Sequence, residues 1–339
     1  VSRRRSDPPG SGPADGGTLR TPRSADDPAG LHFDGEVPKG GYAWWYVDAL
    51  SDDGRHALTV IAFIGSVFSP WYALSRRRGR GDPEHHVSIN AILYRPRGKK
   101  WAMTERGRHD LHRSVRHISI GPSSMRWCDG RLIVEIDEWT VPLPGRLRGT
   151  IEIEPGPVFR QVHPLDGAGR HRWRPVAPLG RAEARFTAPD CSFSGHAYLD
   201  MNAGDEPIEK GFRQWTWSRS ALPGGGTGIF YDVEARETAG PRIANRYLPD
   251  GSVSTLAAPP SRDLPGTLWR VARTARSGAP INASGVRTLE DTPFYTRSSF
   301  TAELEEAACP TICESVDLDR FDSPWVQMLL PFKMPRWPR

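Results

Sequence analysis

Residues 42–68 read YAWWYVDALSDDGRHALTVIAFIGSVF, and this stretch contains two strand-like runs joined by a turn signal. Residues 42–50 alternate and are rich in aromatic side chains, whereas residues 56–68 are mostly apolar, with many β-branched and aromatic residues. Both compositions are typical of β-strands. Asp52, Asp53 and Gly54 between the runs are residue types that form tight turns. The stretch therefore predicts two neighbouring antiparallel strands.

Similar runs recur along the chain, separated by turn residues, and the sequence contains 34 Gly and 32 Pro. No stretch keeps a helical period over four turns. We predict further strands at residues 86–94, 101–104, 115–120, 131–137, 146–154, 182–186, 195–199, 212–218, 228–235, 243–247, 268–273, 297–303, 312–318 and 326–332. So many short strands predict an all-β fold, with antiparallel sheets forming two barrel-like halves.

The predicted domain organisation has three parts. Residues 1–31 carry hardly any large apolar side chain, so we expect a disordered tail. The stretch from 155 to 180 is rich in Gly, Pro and Arg, which suggests a break between the halves. We place an N-terminal β domain at residues 32–175 and a C-terminal β domain at residues 176–339.

Composition and motifs exclude several classes of function. The 45 basic and 40 acidic residues leave a net charge of +5, which is not the footprint of a nucleic-acid-binding protein. Nucleotide-binding glycine loops and zinc-ligand motifs are missing from the sequence, so we expect no cofactor and no metal. The four cysteines lack metal-site spacing and fit a reducing compartment. The N-terminal residues carry no apolar stretch typical of a secretory signal, so we expect a cytoplasmic protein.

Residues 57–74, ALTVIAFIGSVFSPWYAL, carry no charge over 18 positions, which approaches the length of a membrane-spanning helix. Gly65 and Pro70 interrupt the segment, and its first half is rich in β-branched residues. We therefore predict a buried strand from Leu58 to Ile64 that runs into an apolar loop. A basic stretch, RRRGR at residues 76–80, follows this segment and suits either a solvated loop or contact with a membrane surface.

Polar and aromatic residues that suit chemistry concentrate in SGHAYLDMNAGDEP, residues 194–207. His196, Tyr198 and Asp200 are spaced two apart, so on a strand they share one face. Such a set is costly to bury unless each polar group has a partner. The alternatives are a structural hydrogen-bond network, a face in water, or a functional site. Trp215 and Trp217 nearby favour the functional site.

A second aromatic concentration, EVPKGGYAWWYVD, spans residues 36–48. Trp44, Trp45 and Tyr46 suit either a hydrophobic core or the wall of an apolar pocket.

Five collinear stretches resemble the carotenoid 1,2-hydratases, or hydroxyneurosporene synthases, of phototrophic bacteria. They are residues 33–73, WAMTERGR at 101–108, GRHRWRPVAP at 169–178, residues 194–219 and LDRFDSPWVQMLLPFKMPR at 318–336. The resemblance implies a lipocalin-like fold with two β-barrel-like domains. It also implies a hydro-lyase that adds water to the terminal C1=C2 double bond of an acyclic carotenoid such as neurosporene or lycopene. The product is a tertiary alcohol, and no cofactor takes part.

The resemblance implies that a His-x-Trp pair and a Tyr-x-Asp pair are functional residues. In this sequence they match His171, Trp173, Tyr198 and Asp200. Hydrating an alkene needs a proton donor, a stabilised carbocation and a captured water. Asp200 is the expected proton donor, and Trp173 and Tyr198 are expected to offer π faces to the cation. His171 is expected to orient or deprotonate the attacking water. His196 is a second candidate for the water.

A carotenoid substrate also implies an apolar tunnel and access to a membrane. The expected substrate-binding residues are His196, Trp44, Trp45, Tyr46, Phe68, Trp71, Trp215 and Trp217. Residues 61–74 and the arginines after them would form tunnel wall and peripheral contact with lipid of the inner, photosynthetic membrane.

Two other functions remain open from sequence. One is a lipocalin-like carrier that binds pigment or lipid without reaction. The other is a cofactor-free cyclase or isomerase that uses the same acid.

Overall fold

A computed structural model describes residues 31–237 and 239–336, and these residues fold mainly into antiparallel β-sheet. The prediction of an all-β fold is confirmed. The strands are β1 Tyr42–Ser51, β2 Ala57–Ile64, β3 Val87–Tyr94, β4 Lys99–Arg106, β5 Leu111–Ser114, β6 His117–Ile120, β7 Ser123–Cys128, β8 Arg131–Trp139, β9 Arg146–Glu154, β10 His163–Pro164, β11 His171–Ala188, β12 Asp190–Gly204, β13 Phe212–Ala221, β14 Thr227–Ala235, β15 Arg242–Tyr247, β16 Val253–Thr255, β17 Ser261–Asp263, β18 Thr274–Arg276, β19 Arg287–Asp291, β20 Tyr295–Leu304 and β21 Ala307–Asp317.

The helices of the described residues are short. They are α1 Pro70–Arg77, α2 Ile208–Gly211, α3 Leu318–Asp322 and α4 Pro324–Leu329, and a 3₁₀ turn at Leu330–Phe332 follows α4. No helix among the described residues has both the length and the apolar character needed to cross a membrane.

The first sheet contains β1 to β12 and has the strand order β4-β3-β2-β1-β12-β11-β9-β8-β7-β6-β5, with β10 paired to β11. It curls until β4 contacts β8 and β9, which makes a nearly closed barrel. Its inner face is a packed apolar core that includes Trp45, Val60, Ile89 and Leu199. The barrel interior is therefore filled by side chains.

The outer face of the same strands carries a second set of buried residues. Because side chains alternate along a strand, Trp44 and Tyr46 point away from the core that contains Trp45. Tyr198 alternates in the same way with Leu199. This outer face packs against the second sheet.

The second sheet has the strand order β16-β15-β14-β13-β21-β20-β19. One of its faces carries Trp215, Trp217 and Val316 toward the first sheet. The hairpin of β17 and β18 covers the other face, in a separate cluster that includes Phe230 and Cys313. The two sheets thus enclose an apolar layer outside the barrel.

The chain leaves the first sheet at residue 204 and enters the second at residue 212, through α2. The predicted division between residues 175 and 176 falls inside β11, and it stays a prediction about domains. The predicted tail at residues 1–31 lies outside the described residues except for Leu31, which is buried.

Most predicted strands coincide with observed strands, but three segments differ. The run from 56 to 68 ends as a strand at Ile64, because Gly65 turns the chain with φ +66°. The predicted apolar loop after it includes α1, capped by the Ser69 side chain. Residues 326–332 form helix and 3₁₀ turn rather than strand, since Pro324 is compatible with a first helical turn. Residues 268–273 are irregular, and Arg270 has φ +51°.

Candidate active site

A cavity of about 390 Å³ lies between the outer wall of the barrel and the second sheet. Strands β1 to β4 and β12 supply one wall, and β13, β14, β20 and β21 supply the other. The lining is mainly aromatic and aliphatic, and it includes Trp44, Tyr46, Ile61, Phe63, Phe68, Ile92, Trp101, Met103, Trp215, Trp217, Tyr231, Phe294 and Tyr295. The barrel interior is occupied by its own core, so the cavity lies outside the barrel.

Asp200 on β12 lines this cavity, and only 5% of its surface is exposed. Its Oδ2 atom accepts hydrogen bonds from the indole Nε1 of Trp173 and the hydroxyl of Tyr198, each at 2.9 Å. The amide Nδ2 of Asn202 lies 3.2 Å from Oδ1. Strand pairing explains this cluster, because Trp173 on β11 is the direct partner of Asn202 on β12.

Burial raises the pKa of Asp200 to about 8, and the charges of Glu314 and Asp48 act in the same direction. The hydrogen bonds from Trp173 and Tyr198 oppose the rise, because they stabilise the carboxylate. Asp200 is therefore mostly neutral at pH 7. Oδ2 accepts two donors and Oδ1 only one, so Oδ1 has more capacity to carry an acidic proton.

Trp173 and Tyr198 lie behind the carboxyl group. The cavity-lining residues of the described chain do not include either of them. Trp173 packs edge-on against Tyr231 at 5.3 Å, and Tyr198 packs against Trp217 at 5.0 Å between ring centroids. Burial raises the pKa of Tyr198 well above its usual value, so its hydroxyl remains a donor. Their geometry suits holding Asp200 better than presenting a π face to a substrate.

His171 is fully buried but belongs to a different cluster. Its Nδ1 atom lies 2.8 Å from the Tyr42 hydroxyl, and the two rings approach each other above Gly204. A Cβ atom at Gly204 would lie 2.3 Å from Tyr42 and 2.8 Å from His171. His171 Nε2 is 3.5 Å from a carboxylate oxygen of Glu206 and 4.0 Å from one of Asp166. Burial lowers the pKa of His171 while these carboxylates raise it.

Asp166, His171 and Glu206 present ligand-type atoms within 4.8 Å of one another. Arg170 Nε lies 3.0 Å from Glu206 and 4.0 Å from Asp166, so a guanidinium already serves as the cation of this cluster. These contacts describe an ion-pair network that fixes the start of β11.

A second network of buried charges crosses between the sheets. Asp48 on β1 pairs with Arg297 at 2.6 Å and with Arg219 at 2.7 Å. Arg297 also pairs with Glu314 and donates to the Tyr46 hydroxyl. Tyr46 in turn donates to Glu314 at 2.8 Å. Tyr46 and Glu314 line the cavity, so this network reaches the candidate active site.

The predicted substrate-binding residues divide into two groups. Trp44, Tyr46, Phe68, Trp215 and Trp217 line the cavity. The other three lie elsewhere: Trp45 packs against Phe33 in the barrel core, Trp71 donates from its indole to the Met334 carbonyl at 3.0 Å, and His196 is exposed. His196 lies outside the cavity because β12 is 15 residues long, and the second sheet does not cover the part of β12 that carries His196.

Several lining residues were missed from the sequence. Trp101, Met103 and Asn202 come from strands whose alternation was visible, but their outward face could not be assigned to a pocket. Glu314 carried no local signal, because its partner Tyr46 is 268 residues away in the chain.

The family model for carotenoid hydratase CrtC matches residues 60–339. The chain belongs to this carotenoid hydratase family. An acyclic carotenoid 1,2-hydratase of Thiocapsa roseopersicina is 46% identical over 328 residues, covering 96% of this chain and 81% of the relative. One from Rubrivivax gelatinosus is 47% identical over 306 residues, covering 90% of this chain and 75% of the relative.

A solved structure also resembles the chain. It is a Nitrosomonas europaea protein given the name AttH, with a TM-score of 0.53 and 11% identity, covering 81% of this chain and 92% of that one. At that identity the likeness describes the fold alone. Membership of the carotenoid hydratase family confirms the resemblance found in the sequence, and the matched range includes His171, Trp173, Tyr198 and Asp200.

Proposed function

We propose that this chain hydrates the terminal C1=C2 double bond of an acyclic carotenoid, with Asp200 as the proton donor. The observation that carries the proposal is a buried carboxyl group in an apolar, aromatic cavity, held by Trp173 and Tyr198. An ordinary aspartate would lose roughly 4 kcal/mol at pH 7 because so little of it is protonated. With a pKa of about 8, Asp200 avoids that penalty.

The proposed reaction begins with the proton on Oδ1 of Asp200. The π electrons of the alkene take this proton at C2, which leaves a tertiary cation at C1 and a carboxylate at Asp200. The Trp173 and Tyr198 donors stabilise the new charge on Oδ2. Trp44, Tyr46 and Trp217 line the cavity and offer aromatic surface to the cation, at about 1–2 kcal/mol per well-placed ring. Water then bonds to C1, loses a proton, and Asp200 is protonated again.

The test is incubation of the purified protein with neurosporene or lycopene in liposomes made in ¹⁸O-labelled water, followed by mass analysis. We expect a product heavier by one labelled water. Asp200→Asn should lower its formation by about 1,000-fold or more, since the replacement keeps the shape but removes the acid. Asp52→Asn is the matched control, because Asp52 is an exposed carboxylate paired with Arg181.

Other outcomes would contradict the proposal. Unchanged carotenoid bound to the protein would favour a carrier. A product of unchanged mass would favour an isomerase or a cyclase. Full activity of Asp200→Asn would rule out its role as donor.

We also propose peripheral contact with membrane lipid, at the opening of the cavity. Leu329 and Phe332 line the cavity and are exposed, so they mark this opening. Met328, next to Leu329, is 74% exposed. Leu268 is 85% exposed and precedes Trp269, which stacks on Trp325 in α4. The basic stretch at residues 76–80 lies on the same side, because Arg77 pairs with Asp322 just before α4. Liposome flotation measures this contact.

A further inference from the structure

The proposed hydration leaves the attacking water without an assigned partner. The two histidines expected to bind it lie away from the cavity: His171 bonds to Tyr42, and His196 is exposed. Among the described residues, the carboxylates that line the cavity are Asp200, Asp291 and Glu314. A carboxylate partner for the water, other than the acid itself, is therefore either Asp291 or Glu314.

Glu314 is the carboxylate coupled to Asp200. Its charge raises the pKa of Asp200. Tyr46, which donates to Glu314 at 2.8 Å, is the direct antiparallel partner of Asp200. Tyr46 also packs edge-on against Tyr198 with 6.0 Å between ring centroids. Asp291 instead accepts from the backbone of Trp269, at 3.4 Å.

The surroundings of the two carboxyl groups differ in charge. Asp200 is held by neutral donors, the indole of Trp173 and the hydroxyl of Tyr198. Glu314 is paired with the guanidinium of Arg297, which is fully buried. Two carboxyl groups with such different neighbours divide naturally into an acid and a base.

We propose that Glu314 is the catalytic base that binds the attacking water and takes its proton. This inference rests on the proposed hydration. As the water oxygen bonds to C1, one of its O–H bonds breaks and the proton passes to the Glu314 carboxylate. Asp200 has lost one proton and Glu314 has gained one, and exchange through water in the cavity returns both to their starting states. The sum of the steps is one water added to one alkene.

The test separates protonation of the alkene from capture of the cation, by running the reaction in D₂O with lycopene in liposomes. Protonation by Asp200 places deuterium on C2. The resulting cation carries one H and one D on C2. When water does not capture it and it loses H⁺ from C2 or from a methyl group on C1, the recovered alkene retains deuterium. We expect Glu314→Gln to lower hydration by about 100-fold or more while deuterium exchange into the substrate falls far less. The ratio of exchange to hydration should rise at least about tenfold.

Three further variants make the result specific. Asp200→Asn should lose exchange and hydration together. Glu138→Gln removes a carboxylate from another buried ion pair, with Arg106 at 2.7 Å, outside the cavity, and should keep the wild-type ratio. Glu314→Asp keeps the charge opposite Arg297 if the Gln variant does not fold. It withdraws the carboxylate by one methylene and should still raise the ratio.

Three results would each overturn the role of Glu314. They are an unchanged ratio of exchange to hydration in Glu314→Asp, full hydration in Glu314→Gln, and equal loss of both reactions in a folded Glu314→Gln. Wild-type protein that neither hydrates nor exchanges would instead contradict the proposed function itself.

Discussion

One oxygen of the Asp200 carboxyl group accepts hydrogen bonds from two donors. This arrangement determines how the pKa of Asp200 should respond to mutation. Tyr198→Phe removes one of them. Because the donor stabilises the carboxylate, its loss raises the pKa of Asp200 further above about 8. The acid form is the active one, so activity falls as the pH rises through this pKa.

For Tyr198→Phe we expect the falling limb of the pH–rate profile, where activity is lost as the pH rises, to move up by about one pH unit. We also expect the rate at pH 7 to drop about tenfold, because the acid is weaker. A pH–rate profile measures both. Tyr247→Phe is the control, since this buried hydroxyl contacts Asn245 and not Asp200. A limb that stays in place, or moves down, would contradict the assignment of the acid.

For individual residues, the sequence correctly predicted that Tyr198 and Asp200 lie together, but it wrongly placed His196 with them. The Tyr-x-Asp spacing placed Tyr198 and Asp200 on one face, because strand side chains alternate. The same alternation put His196 with them, yet whether a face is covered depends on the second sheet. That sheet packs over only part of β12, which no local pattern reveals.

At the scale of elements, α4 and the turn after it carry exposed apolar side chains beside the cavity opening. Met328 and Phe332 are each 74% exposed. Because burying such a side chain in an apolar phase contributes about 1.5–3 kcal/mol, the double variant Met328→Ser/Phe332→Ser should bind liposomes at least about tenfold more weakly. Flotation with anionic and neutral vesicles measures this.

Val115→Ser is the control for that variant, because Val115 is an exposed apolar residue in the turn between β5 and β6. Charge reversal at Arg78 and Arg80, both exposed, should weaken binding to anionic vesicles only. Equal flotation of the double variant and wild type would remove this surface from the proposal.

The same element shows why residues 326–332 were mistaken for a strand. VQMLLPF is short and apolar except for Gln327, and a run of this length has no measurable period. The start of α4 at Pro324 and the packing of Val326 and Leu330 against the core decide the helical conformation. The strand 146–154, in contrast, alternates strictly and was predicted with its observed bounds.

For the whole molecule, the buried charges around Asp48 connect the two sheets. Asp48 belongs to the first sheet, while Arg219 and Arg297 belong to the second. Asp48→Ala would leave two buried guanidinium groups without this partner, which costs about 3–5 kcal/mol of unfolding free energy. Urea unfolding should show a lower midpoint.

Asp52→Ala is the matched control for Asp48→Ala, since its pair with Arg181 is half exposed and contributes about 0–1 kcal/mol. Equal stability of the two variants would mean that the network does not hold the sheets together. The sequence could not reveal this network, because its charges come from strands more than 170 residues apart.

The alternation of β1 also has a practical consequence for engineering substrate range. Its even-numbered residues Trp44 and Tyr46 face the cavity, and its odd-numbered residues Trp45 and Val47 face the barrel core. On β12, Asp200 and Asn202 follow the same rule against Leu199. A mutant library restricted to Trp44 and Asn202, which line the cavity, would reshape it and leave the packed core of the barrel unaltered.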